Sequence, residues 1–191
     1  MTGKDTGGRN DTVLIVDDDK RLADLFAEYL SSRYETRTVY NGQDALNSVD
    51  REVDVIILDR RMNGMSGDTV LRTLRDRGFS QPTAMVTAVH PTSDVLELPT
   101  DIYLIKPATK EQLVDTVEAL SERRQYDPAF REYFSAVSKR AAIESTLRHR
   151  EIETSEAGTR VEQKIRSTES EEMSALTEAE RNRVFPDVRG F

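Results

Sequence analysis

VLIVDDD, residues 13–19, sets an unbroken apolar run directly before three carboxylates. A run with no polar alternation suits a strand covered on both faces, as in a parallel sheet. Acids at its carboxyl end stand where open α/β sheets take up ligands. Working outward, similar apolar runs fall at Thr12–Val16, Val53–Leu58, Thr83–Thr87 and Ile102–Ile105. A Thr- and Arg-rich run at Thr36–Tyr40 fits an edge strand. Helical spacing separates them: Leu22, Leu25, Phe26, Tyr29 and Leu30; Ala45, Leu46 and Val49; Val70, Leu71 and Leu74; Leu113, Val114, Val117 and Leu120. Gly78 and Pro82 punctuate the exit from the third of these. Only His90–Pro99 is poor, because its prolines leave room for at most about two helical turns. The alternation predicts an α/β fold with five parallel strands and right-handed crossovers.

The polar residues collect at the strand ends. Asp17 and Asp18 follow the first strand, Asp59 the third; Thr87 closes the fourth and Lys106 follows the fifth. The second strand adds nothing to this rim, which fits a sheet order of 2-1-3-4-5 with the crevice between strands one and three. Carboxylates gathered at one edge repel, so a hard dication with oxygen ligands suits them, and Mg²⁺ is the natural choice. Asp18 and Asp59 are the expected direct ligands, with Asp17 as ligand or water-mediated anchor and the backbone carbonyl of Arg61 as a further oxygen. Lys106 offers a point charge to a phosphate, and Thr87 a hydroxyl donor. Asp59 is then the nucleophile that accepts a phosphoryl group, with the metal and Lys106 offsetting charge on its oxygens. Taken singly, each residue has a plain structural reading: Asp18 or Asp19 caps the helix at Lys20, Asp59 leads toward a helix, and Lys106-Pro107 makes a turn. Four strand ends converging on one chemistry outweigh those separate readings.

Composition narrows the function further. The 191 residues carry 35 acids against 27 bases, a formal charge of −8, so general affinity for nucleic acid or an anionic membrane is not expected. The chain has no cysteine and two histidines, which excludes disulfides, thiolate chemistry and multi-histidine metal sites. No span approaches the ~18 apolar residues of a membrane helix. The polar start, Met1 to Thr12, lacks the apolar core of a signal peptide. A soluble, cytoplasmic protein without membrane partners is expected. Only six of the 27 basic residues are Lys. An acidic chain poor in Lys is similar to proteins of high-salt cytoplasms, and high-GC codon usage accounts for it equally well.

The stretches VLIVDDD (13–19), VIILDRRMNGMSG (55–67), AMVTA (84–88) and YLIKPA (103–108) together resemble a two-component response-regulator receiver domain. The resemblance covers residues 12–124. It implies a flavodoxin-like fold, Mg²⁺ binding, and phosphorylation of Asp59 by a sensor histidine kinase. It implies that Asp17 and Asp18 are the acidic pair, Lys106 the phosphate-contacting lysine, Thr87 the switch hydroxyl and Tyr103 the aromatic switch. It also implies a cis bond between Lys106 and Pro107. A phosphoryl group would draw Thr87 inward and open space for Tyr103, a shift between two packings. The chain departs from the family in Asn63, where many receivers have proline, and in Arg60 and Arg61 behind Asp59, where Arg61 is placed to overhang the phosphate. It departs also in the short helix at 90–99, part of the usual output face.

The chain divides into a flexible start (1–11), the receiver (12–124), a helical output domain (125–185) and a tail (186–191). Behind Asp127-Pro128, a helix-start signal, Tyr126, Phe130, Tyr133, Phe134, Val137 and Ala141 recur at helical spacing and continue to Leu147 and Ile152. Gly158 interrupts the pattern, and Val161, Ile165, Met173 and Leu176 suggest a second helix, so a hairpin or an extended helical module is expected. Lys139, Arg140, Arg148 and Arg150 form a basic stripe, read as a solvated face, with DNA contact as the sharper alternative. REYFSAVSKRAAIES (131–145) resembles the HalX domain found behind receivers in halophilic archaea, which implies transcription regulation. The expected function is a response regulator and phosphoacceptor, not a turnover enzyme. Its expected partners are a histidine kinase and a second copy of itself, with DNA left open. The alternatives are a phosphate relay or sink acting through protein contact, and a metal-dependent phosphohydrolase, which lacks a placed acid–base residue.

Overall fold

The computed structural model describes residues 10–88, 98–123, 135 and 137–139. Nine elements follow in the order β1 (Thr12–Val16), α1 (Lys20–Leu30), β2 (Glu35–Val39), α2 (Gly42–Ser48), β3 (Val55–Leu58), α3 (Gly67–Asp76), β4 (Thr83–Thr87), β5 (Ile102–Ile105) and α4 (Lys110–Arg123). The strands are parallel in the order β2-β1-β3-β4-β5, the flavodoxin-like order expected from the strand ends.

Alternation along the central strands divides the core in two. Leu14, Val16, Ile56, Leu58, Met85 and Tyr103 face α2 and α3, where Leu46, Val70, Leu71 and Leu74 meet them. Val13, Ile15, Val55, Ile57, Ala84, Val86 and Leu104 face α1 and α4, against Phe26, Leu30, Leu113, Val117 and Leu120. β1, β3 and β4 are buried along their whole length, which is why they read as continuous apolar runs. β2 lies at the edge, half-exposed, and begins at Glu35, one residue before the sequence signal.

Local differences have local causes. β3 starts at Val55 because Asp54 is occupied with β1: its N–H donates to Thr12 O, and its Oδ2 accepts from Thr12 N–H, both at 2.8 Å. On α1, Leu25 lies at the margin of the apolar stripe and is exposed, and Ala23 fills the core beside Phe26 and Leu30. Asp19 caps α1, accepting from the N–H groups of Arg21 and Leu22, so the third acid of the opening motif is structural. Gly78, at φ +82°, turns the chain out of α3.

Most of the 90–99 segment and of the helical pattern behind Arg124 lies outside the described residues. Within that pattern Ser135 and Val137–Lys139 are helical. Lys139 corrects one expectation: it is 6% exposed, packed against the receiver, and is not part of a solvated stripe. Arg140, Arg148 and Arg150 lie outside the described residues.

Candidate phosphoacceptor site

The parallel register brings the carboxyl ends of β1, β3, β4 and β5 to one edge, with the predicted residues upon it. Asp17 and Asp59 are buried and Asp18 half-buried. One carboxylate oxygen of each lies within 4.8 Å of the others. Asp59 N–H donates to Val16 O at 2.8 Å, which ties the third strand's end to the first strand's end. Lys106 reaches across from β5: its Nζ is 2.6 Å from Asp17 Oδ2 and 3.3 Å from Asp59 Oδ1. Asp17 Oδ1 in turn accepts from Asp19 N–H at 3.0 Å.

Asp17 and Asp59 share one ammonium, and Asp18 beside them accepts from Asn63, so the three carboxylates together carry excess negative charge. Burial pushes the Asp59 carboxyl above its ordinary range; Lys106 pulls it back, and Asp17 pushes it up again. Hard oxygen donors, close spacing and excess negative charge are the donor chemistry of a small dication.

Thr87 is buried at the end of β4, and its carbonyl accepts from Lys106 N–H at 2.8 Å. It stands two residues beyond Met85, which pairs in register with Tyr103, so Thr87 and Tyr103 share a face of the sheet. The Lys106–Pro107 bond is cis.

Tyr103 is 5% exposed, within the α2–α3 side of the core. Its hydroxyl accepts from Arg60 Nη1 at 3.4 Å. The same guanidinium grips Asp68, with Nε 3.1 Å from Oδ1 and Nη2 3.1 Å from Oδ2. The residue after the phosphoacceptor candidate therefore touches the aromatic switch candidate and the first turn of α3. Sequence spacing held no sign of this, because the three residues meet only in the folded sheet.

Two further positions shape the site: Asn63, which the sequence marked only as a departure from proline, and Gly67, which it did not mark. Asn63 donates to Asp18 Oδ2 through its backbone N–H at 2.9 Å and its side-chain amide at 2.7 Å. Its presence in place of proline thus supplies two donors to a carboxylate of the cluster. Gly67 opens α3 directly behind Asp59. A Cβ there would lie 2.2 Å from the Asp59 carbonyl oxygen, so only glycine allows this approach. A readable signal existed in the Ser66-Gly67 pair, since Ser66 caps α3. Arg61 is exposed, and its backbone N–H faces the Asp59 carboxylate and favours its charged form.

A family model described as the response regulator receiver domain matches residues 13–118, and one described as the HalX domain matches residues 122–187. A Haloferax volcanii protein described as a candidate transcriptional regulator is 44% identical over 134 residues, 70% of this chain and 23% of that one. The DNA-binding response regulator MtrA of Mycolicibacterium smegmatis is 38% identical over 124 residues, 61% of this chain and 53% of its own length. The chain thus spans from under a quarter to about half of these relatives. Among solved structures, the receiver domain of Francisella response regulator 1452 aligns with a TM-score of 0.56 at 28% identity, covering 61% of this chain and 100% of that one. The BeF3-activated DrrB receiver domain aligns with a TM-score of 0.54 at 27% identity, covering 59% and 97%. Among the described residues, no helix is long and apolar enough to cross a membrane.

Proposed function

The chain belongs to the response regulator receiver family, and from that premise we propose that it accepts a phosphoryl group on Asp59 from a sensor histidine kinase and signals through the segment behind the receiver. The observation that carries this reading is Lys106 Nζ lying 3.3 Å from Asp59 and 2.6 Å from Asp17 within a three-carboxylate cluster. A nucleophilic carboxylate and a cation suited to the arriving phosphate are held side by side.

Asp17, Asp18 and Asp59 would hold Mg²⁺, with the Arg61 carbonyl as a further oxygen. When bound, the ion offsets negative charge on the phosphoryl oxygens. The remaining steps belong to the protein. An Asp59 oxygen forms the new bond to phosphorus while the donor's bond to phosphorus breaks in line with it. Lys106 pairs with a phosphoryl oxygen and so turns from Asp59 and Asp17. Thr87 donates its hydroxyl to another oxygen. Displacement of Thr87 toward the site changes the packing beside Tyr103 on the same sheet face, and Tyr103 leaves its buried position. The protein is a phosphoacceptor, not a turnover enzyme, and acts in the cytoplasm.

Its division is a start at 1–11, a receiver at 12–124, a helical output domain at 125–185 and a tail at 186–191. The output is regulation of transcription. The Haloferax match supports this, because its 134 residues exceed the receiver at 13–118 and so extend beyond it. DNA contact and self-association are the two routes to that output.

The test is incubation of the full chain with Mg²⁺ and acetyl phosphate in high salt, beside Asp59→Asn, read by intact mass and size exclusion. A Mg²⁺-dependent phosphate adduct in the wild type alone is the expected result. A change in elution with the adduct assigns output to self-association. Absence of an adduct in folded wild-type protein contradicts the reading.

A further inference from the structure

Three consecutive carbonyls lead into β5, and each takes a hydrogen bond from a different side chain. Lys139 Nζ donates to Leu98 O, Arg75 Nη2 to Pro99 O at 3.2 Å, and Ser135 Oγ to Thr100 O at 2.7 Å. The same loop is fixed to β4 from its other side. Thr100 Oγ1 and Asp101 N–H both donate to Thr83 O at 2.9 Å, and Thr83 N–H donates to Asp101 Oδ2 at 2.8 Å. The loop is therefore a firm receptor for whatever meets its carbonyls.

A carbonyl withdrawn from water needs a donor. Arg75, in α3, supplies one of the three. The other two donors come from beyond α4, within the stretch that matches the HalX model. Ser135 and Lys139 are four residues apart in helical backbone, so they share one helix face. Lys139 is 6% exposed. A buried ammonium is tolerated only where acceptors take up its protons. Asp101 faces it favourably and Arg75 unfavourably. A lysine in a helical tail is among the residues least often found in such a position, and it sits there at the end of a hydrogen bond to the receiver's backbone.

We propose that the receiver holds the helical turn carrying Ser135 and Lys139 as an intramolecular ligand, with these two residues seated on the carbonyls of Thr100 and Leu98 at the root of β5. The dock stands apart from the phosphoacceptor chemistry and does not rest on it. Its placement matters for output all the same, because the strand it roots carries Tyr103 and leads to Lys106. It also removes Lys139 from any surface offered to nucleic acid while the dock is closed.

Hydrogen–deuterium exchange on the unphosphorylated full chain, Lys139→Ala beside wild type, tests this directly. Exchange across residues 98–102 is expected to rise by roughly tenfold, the scale of one net hydrogen bond, while β1 and β3 keep their protection. Should Lys139→Ala loosen β1 as well, Ser135→Ala deletes a single hydroxyl and gives the same readout with a smaller rise. Wild-type exchange at 98–102 in a variant whose β1 is intact overturns the dock.

Discussion

Each end of the parallel sheet receives a lysine, and the two serve opposite ends. At the carboxyl edge Lys106 meets charge: Asp17 at 2.6 Å and Asp59 at 3.3 Å. At the amino edge Lys139 meets the backbone carbonyl of Leu98, and burial pushes its ammonium down to about 8. A lysine among surplus carboxylates can exchange one anionic acceptor for another, and under the proposed function an arriving phosphate is one of them. A lysine held on a backbone carbonyl, with the Asp101 carboxylate facing it and Arg75 opposing it, acts as a fastener. The difference lies in the acceptors, not in the lysine. It separates a carboxylate-rich edge from an edge of backbone carbonyls within one five-stranded sheet.

Removing each fastening breaks this comparison in a different way. The largest effect is expected for Lys106→Met, which leaves Asp17 and Asp59 without their cation. Its phosphorylation rate by acetyl phosphate falls ~10²-fold or more, the scale of one lost charge-stabilising donor. Stopped-time mass spectrometry reads this, and Lys139→Met leaves that rate within a few-fold of wild type.

Gly67→Ala comes next. Its Cβ would lie 2.2 Å from Asp59 O, so backbone must shift. A loss of ~1–3 kcal/mol in unfolding free energy is expected, together with a lower adduct yield. Denaturant unfolding and intact mass measure the two, and unchanged yield would mean that the approach of α3 does not position Asp59.

The amino edge responds to pH instead. Lys139 binds its proton less tightly when docked (about 8) than in water (10.5). Docking is therefore weakest, at a constant level, below pH 8 and strengthens as pH rises from 8 toward 10.5. The protection factor of residues 98–102, corrected for intrinsic exchange, should climb through that window in wild type. It should stay flat in Lys139→Met.

The smallest effect belongs to Tyr103→Phe. It removes the 3.4 Å hydrogen bond from Arg60 and keeps the buried ring. A destabilisation of ~0.5 kcal/mol is expected, at the weak end for a net hydrogen bond, and thermal unfolding would register it as a shift of a few degrees at most.

The placement of the carboxylate edge was largely legible in the sequence, and the contacts of the opposite edge were not. Strands buried on both faces read as unbroken apolar runs, so the residues that end them, Asp17, Asp59, Thr87 and Lys106, could be placed on one rim before any contact was known. Order alone aligned them, because parallel strands bring all their carboxyl ends together. Contacts between distant parts of the chain leave no such trace. Asn63 and Asp18 are 45 residues apart, and Arg60 and Tyr103 are 43 apart. Lys139 read as part of a basic helix face because neighbouring bases, not the receiver loop, surround it in sequence. β3 looked two residues longer than it is, since Val53 is buried like a strand residue while Asp54 is turned to cap Thr12. Burial pattern reports covering and does not distinguish a ladder from a cap.

The position of the phosphoryl group itself tests directly whether Asp59 is the acceptor. The wild-type chain, phosphorylated with acetyl phosphate in the presence of Mg²⁺, is cleaved and fragmented for mass spectrometry. The phosphoryl group is expected on Asp59 alone, and its attachment is expected to be abolished when Mg²⁺ is chelated. A phosphoryl group on any other residue, with Asp59 unmodified, would contradict that expectation.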